Sequence, residues 1–174
     1  MRKIYIVLTY TGTILSKIVK VYTRKEYSHV SIALDQNLNK MYSFGRINPY
    51  NPFIGGFVHE SINSGTFKRF KKTKTKIYSM EIDDEKYDQL ENIINQMFKK
   101  KKVYKFNFIG LLAVALKLKI RRERCFYCAE FVKYVLEKSE VITLPELIKP
   151  EDFEKLNGLD IVYKGILNEY KVNN

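Results

Sequence analysis

Short β-branched or alternating blocks dominate the first half of the chain, and apolar positions three to four apart dominate the second. Such periods separate strands from amphipathic helices. Residues 3–10, through Tyr5-Ile6-Val7-Leu8-Thr9-Tyr10, read as a first strand. Over 14–22, apolar residues at 14, 15, 18, 19 and 22 have helical spacing. Residues 29–34 alternate, with Val30, Ile32 and Leu34 on one face and His29, Ser31 and Ala33 on the other. Asp35-Gln36-Asn37-Leu38-Asn39 is rich in turn formers, so 41–45 returns as a hairpin partner. Pro49, Pro52 and Gly55-Gly56 mark 46–56 as a loop, and 57–62 and 77–82 are further strands.

The second half is helical. Asp83 or Asp84 caps a helix whose stripe is Tyr87, Leu90, Ile93, Ile94, Met97 and Phe98. Residues 107–118 are apolar nearly all round, which predicts a buried helix, and 125–138 form another. Pro150-Glu151-Asp152-Phe153 opens a short helix, with Pro in the first turn and acids near the N-terminus. Residues 161–166 close the chain as a last strand. There is no internal repeat and no linker, so the expectation is one α+β domain over 1–174, an antiparallel sheet packed against helices.

At 174 residues the chain is long enough to bury a core. An apolar content of 45% with only 8 Gly and 4 Pro excludes a disordered or collagen-like chain. The longest apolar run, 106–116, contains Asn107 and is closed by Lys117, short of the ~20 residues a membrane helix needs. Met1-Arg2-Lys3-Ile4 has the charge of a signal-peptide start, but the block after it is short, β-branched and without a small-residue cleavage site. The expected location is therefore cytoplasmic. Charge adds a second theme: 31 Lys+Arg against 19 Asp+Glu give a formal +12. It is concentrated in the run from Phe67 and Lys68 to Lys76, in 99–102 and in 117–124. Such a surface attracts polyanions, an anionic membrane surface among them, while the plain alternative is a solvated basic face. Nucleic acid is not the expected partner, because the 13 Tyr and 11 Phe fall mostly at core spacings and no nucleic-acid module is present.

Two cysteines, Cys125 and Cys128, are too few for a disulfide scaffold. On the 125–138 helix, Cys128 shares a face with Phe131, Val132, Val135 and Leu136, so it points inward from the first turn. Unpaired backbone N–H groups and the helix dipole stabilise an anion there. A thiolate nucleophile needs a base, and the chain has two histidines, His29 and His59. His29 begins a strand on its small-residue face, where Ser31 and Ala33 leave room for a helix end. The plain alternatives are a small buried side chain for Cys128 and a satisfied strand-end histidine for His29. A zinc site built from Cys125, Cys128 and the histidines is a further alternative, although the usual His-x3–5-His spacing is absent.

The stretch Tyr27-Ser28-His29-Val30-Ser31-Ile32-Ala33-Leu34 resembles the histidine motif of circularly permuted NlpC/P60 (papain-like) cysteine hydrolases. In that group, which includes the YiiX-like and lecithin:retinol acyltransferase-like proteins, the histidine strand precedes the nucleophile helix. Tyr127-Cys128-Ala129-Glu130-Phe131-Val132 resembles its nucleophile motif. Leu147-Ile148-Lys149-Pro150-Glu151-Asp152-Phe153 resembles the "Ser/Thr-Pro-Asp-Asp-Leu" segment that often follows. The resemblance spans roughly residues 3–155 and implies a permuted papain-like fold, with Cys128 as nucleophile and His29 as general base. The family's third, orienting residue lies about 12 to 13 positions after the histidine, which lands on Met41, Tyr42 or Ser43. Hairpin register decides among them: a two- or four-residue loop puts Tyr42 on His29's face, and a three-residue loop puts Ser43 there. Ser43 is favoured as small enough to bond the ring. A departure from the usual His, Glu, Gln or Asn also leaves open a Cys-His dyad, or Glu60 reaching in from the next strand. Cys128 N–H would supply the oxyanion hole, with Tyr10 a candidate for the second donor. Cys125 has no counterpart in the family.

The resemblance implies attack on an amide, ester or thioester carbonyl through an acyl-enzyme, with no cofactor and no metal. Peptide, lipid or acyl-thioester substrates are the classes implied, lipids and acyl thioesters fitting the permuted branch; on charge alone, Arg46 in the loop after the hairpin is a candidate to bind a carboxylate or phosphate. The competing expectation is a non-enzymatic basic module on a degenerate hydrolase fold, binding nucleic acid or an anionic membrane surface.

Overall fold

The structure, a computed structural model, describes residues 1–13, 16–17, 20–21, 25–51, 54–115, 118, 120 and 122–172, apart from the side chains of 112 and 115. Six strands make one antiparallel sheet: β1 (Arg2–Tyr10), β2 (His29–Ala33), β3 (Met41–Arg46), β4 (Gly55–Glu60), β5 (Lys74–Ile82) and β8 (Leu159–Ile166). Their order is β4-β3-β2-β1-β5-β8. The helices are α1 (Gly65–Arg69), α2 (Asp84–Lys99), α3 (Phe108–Ala115) and α4 (Cys128–Lys138), and Pro150–Lys155 forms a 3-10 turn. The predicted helix over 14–22 falls largely outside the described residues.

The alternation in β2 sorts two cores. Val30 and Ile32 join Ile4, Ile6, Leu8, Phe44 and Phe57 on the face covered by α2 and α4. Ala33 joins Tyr5, Val7, Met41, Ile77 and Phe67 of α1 on the other. The predicted stripe of α2 buries Leu90, Ile94 and Met97 in the first core. From α4, the fully buried Phe131 packs its ring 5.4 Å from Phe44 and 5.2 Å from Phe57, centroid to centroid.

Three expectations shift. The helix predicted over 125–138 starts at Cys128, because Cys125–Phe126 (β7) pairs in parallel with Lys105–Phe106 (β6). Glu130 then reaches back to accept the Tyr127 N–H at 3.1 Å, setting the helix start one residue before the cysteine. Asn107, predicted inside the 107–118 helix, caps it instead: its Oδ1 accepts the Gly110 N–H at 2.9 Å. That helix is also less buried than an all-apolar sequence implies, since Ile109 is 51% exposed. Finally, 46–56 is not all loop, as β4 begins at Gly55. Among the described residues no helix is long and apolar enough to cross a membrane.

Candidate active site

One end of the sheet carries the chemistry. There β1 finishes, β2 begins with His29, β3 finishes with Arg46 and β4 begins at Gly55. A pocket of about 80 Å³ opens off this end, lined by His29, Glu60, Cys128, Arg46, Gly45 and Phe67 together with nearby hydroxyl and aromatic side chains. Helix α4 packs against the Val30/Ile32 face rather than over the small residues beside His29, contrary to the sequence expectation. Cys128, its first residue, meets the histidine at the strand's end instead. Cys128 is 3% exposed. Three tethers fix its helix: the Glu130 cap, the Tyr127 hydroxyl donating to the Ile148 carbonyl at 2.9 Å, and the apolar face around Phe131.

The register of the β2–β3 hairpin settles which residue faces the ring. Ala33 pairs with Met41 and Ile32 with Tyr42, and Leu34 N–H bonds Lys40 O across the turn. Asp35 holds that turn by accepting the Asn39 and Lys40 amides. Opposed residues share a face, so Ser43 and Gly45 lie with Ser31 and His29, and Tyr42 lies on the other side. Tyr42 is therefore corrected: its ring stacks on His59 at 4.9 Å and it does not line the pocket.

The partner of His29 is Glu60. Its Oε1 lies 3.0 Å from His29 Nε2, and its Oε2 accepts a hydrogen bond from Ser31 Oγ, which also lies 3.3 Å from the ring nitrogen. Glu60 pairs with Met41 at the far end of the hairpin, so the two side chains converge over the Ser31–Ser43 row, where short side chains leave space. Gly45 keeps that space open. A Cβ there would sit 3.5 Å from both Glu60 Oε1 and His29 Cε1, and 3.3 Å from Ser43 Oγ. Ser43, the favoured third residue, is fully buried, and its hydroxyl makes no hydrogen bond of ordinary geometry. It stands close enough to Glu60 to help keep the carboxylate ionised.

The electrostatics follow from burial opposed by pairing. His29 and Glu60 are only 20% and 11% exposed. Burial disfavours the imidazolium, but the charge of Glu60, the hydrogen-bonded Cys128 side chain and the Glu60 hydrogen bond outweigh it, and His29 is pushed up to about 10. Burial likewise opposes ionisation of Glu60, yet His29, Ser31 and Ser43 hold it below the usual carboxylate value. With Nε2 engaged by Glu60, Nδ1 is the ring nitrogen left for the thiol. The arrangement can hold a proton at His29 through neutral pH, beside a sulfur at a helix N-terminus.

The remaining candidates disperse. His59 is exposed and donates from Nε2 to the Asn39 carbonyl at 2.6 Å, and Tyr10 does not line the pocket. Cys125 lines a separate cleft with Arg122 and Lys133. Among the described residues no three His, Cys, Asp or Glu side chains cluster as metal ligands, so the zinc alternative has no donor set there. The basic run from Phe67 is α1 followed by β5. Phe67, Thr73 and Thr75 turn inward, while Lys76 pairs with Glu154 at 2.7 Å and Lys74 with Glu26 at 3.7 Å. No protein-family model matches the chain, and no curated protein matches it significantly.

Proposed function

We propose that the chain is a cysteine hydrolase or acyltransferase that opens an amide, ester or thioester through an acyl-enzyme on Cys128, on a permuted papain-like (NlpC/P60) scaffold. The supporting observation is the convergence in one pocket of a helix-N-terminal cysteine, a histidine and a buried glutamate that holds the histidine's far nitrogen at 3.0 Å. Cys128 Sγ attacks the carbonyl carbon as the thiolate, and the oxyanion meets the Cys128 backbone N–H at the open end of α4. As the carbon–heteroatom bond breaks, the imidazolium of His29 gives its proton to the leaving nitrogen, oxygen or sulfur. Water then attacks the thioester while His29 takes its proton, which releases the carboxylic acid and returns the sulfur. An alcohol or amine in place of water gives acyl transfer. Glu60 positions the ring and supports its charge without touching substrate.

Intact-mass measurement after mixing with p-nitrophenyl esters, acyl thioesters and peptide amides tests this, in a Cys125→Ser background. An acyl adduct is expected that is absent in Cys128→Ala and slowed about 100-fold in His29→Ala, the size of a general acid–base contribution. No adduct with any substrate class, or one that survives Cys128→Ala, overturns the reading and leaves the basic binding module.

A further inference from the structure

The pocket has a cationic wall that the hydrolytic steps leave unused. Arg46 ends β3 and lines the pocket half-buried. It follows Gly45, which faces His29, so its Cα lies one step of about 3.8 Å from the backbone beside the ring. Arg46 Nη2 donates to Thr13 Oγ1, and Thr13 is itself tied to Ser16 and Thr11. That bond fixes the guanidinium while using one of its five donors. Among the described residues no carboxylate forms an ion pair with Arg46. Glu60, the carboxylate in the same pocket, is committed to His29 and Ser31.

A second guanidinium, exposed and outside the pocket lining, lies against the same aromatic ring as Arg46. Arg69 of α1 lies 5.4 Å from the centroid of the Phe70 ring, and Arg46 lies 5.8 Å from the same centroid. Arg69 also stacks on Tyr50 at 4.0 Å, which holds it in place. Burial and the neighbouring charge of Arg69 both weaken the protonated form of Arg46. Two cations on one ring, one of them half-buried, form an arrangement that an anion relieves. The planar fork of each matches a carboxylate or phosphate. Phe67, Phe106, Phe108 and Leu111 add an apolar stretch to a lining that otherwise carries hydroxyl side chains, Thr11, Ser28 and Thr66 among them.

We propose that the acyl substrate of this site carries a carboxylate or phosphate group near its scissile carbonyl, and that Arg46 binds it. The proposal rests on Cys128 being the nucleophile, and it adds the charge of the substrate. Its test compares two alkylating agents of similar size, anionic iodoacetate and neutral iodoacetamide, at Cys128 in the Cys125→Ser protein. In both reactions the sulfur displaces iodide, so their rate ratio, referred to glutathione in the same buffer, reads the pocket's preference for an anion. A ratio above that of glutathione is expected, and Arg46→Gln should lower it about tenfold, as for loss of a charge-assisted hydrogen bond. Arg46→Lys should keep part of it, which separates charge from any general disturbance of the fold. Succinate and inorganic phosphate serve as protecting ligands: protection by the first alone assigns a carboxylate, and by the second alone a phosphate. A wild-type ratio equal to that of glutathione, or one unmoved by Arg46→Gln, overturns the proposal. Slow reaction with both agents, indifferent to His29→Ala, instead overturns the hydrolase reading beneath it.

Discussion

Glu60→Gln isolates the charge that holds His29. The amide keeps the shape and still offers an oxygen to Nε2, 3.0 Å away in the parent, but it removes the negative charge. Two unit charges at that distance attract by about 5.5 kcal/mol at an effective dielectric constant near 20. Much of that offsets the cost of burying both groups, so the net loss is nearer the roughly 1.5–3 kcal/mol typical of a hydrogen bond to a charged partner. At 1.4 kcal/mol per factor of ten, the rate of Cys128 alkylation at neutral pH should fall roughly 10- to 100-fold. The ring should also titrate closer to its ordinary 6.5 rather than near 10. Proton NMR of the two imidazoles, assigned with His59→Asn, gives the titration, and iodoacetamide kinetics in the Cys125→Ser background give the rate. If wild-type His29 already titrates in the ordinary range, or if Glu60→Gln moves neither quantity, the glutamate is not the group that charges the ring.

The same pair makes stability pH-dependent. His29 binds its proton more tightly folded than unfolded, so its contribution is complete below about pH 6.5 and fades as pH rises through about 10. Glu60 is shifted down, so its contribution is present above its unfolded value near 4.5 and fades as pH falls. Urea denaturation should show the wild type's advantage over His29→Asn/Glu60→Gln peaking between these limits, and a difference flat from pH 4 to 10 would exclude a charged pair. Phe131→Ala, which empties the junction of α4 with Phe44 and Phe57, should cost about 3–5 kcal/mol in urea unfolding; a loss under 1 kcal/mol would mean the ring is not a core residue. Gly45→Val places methyl groups where Glu60 and His29 approach one another and should slow Cys128 alkylation by about tenfold or more, with a stability cost of about 1–3 kcal/mol. Unchanged alkylation would show that the space over the ring is not needed.

Local pattern was enough to locate most elements. The alternation over 29–34, the stripe from Tyr87 to Met97 and the inward face of Phe131 and Val135 each carry their own period, because burial of one face dictates it. The candidate nucleophile and base were legible for the same reason: one needs a helix start and the other a strand start, and both are written in a few neighbouring residues. The third member stayed open among Ser43, Tyr42 and Glu60, with Ser43 favoured. Whether Ser43 or Tyr42 shares the histidine's face turns on the length of a hairpin connection, and the Asp35 turn sets that only once folded. Glu60 is 31 residues from His29 and meets it only because β3 lies between their strands with Ser43 and Gly45 where bulk would block the path. The Arg46–Arg69 pair on Phe70 likewise joins a strand end to a separate helix. The sequence by itself determined which residues could do chemistry and which faces they occupy, since those are short-range properties of period and capping. Which of them meet, and with what charge, was decided by strand register and burial, which are properties of the whole sheet.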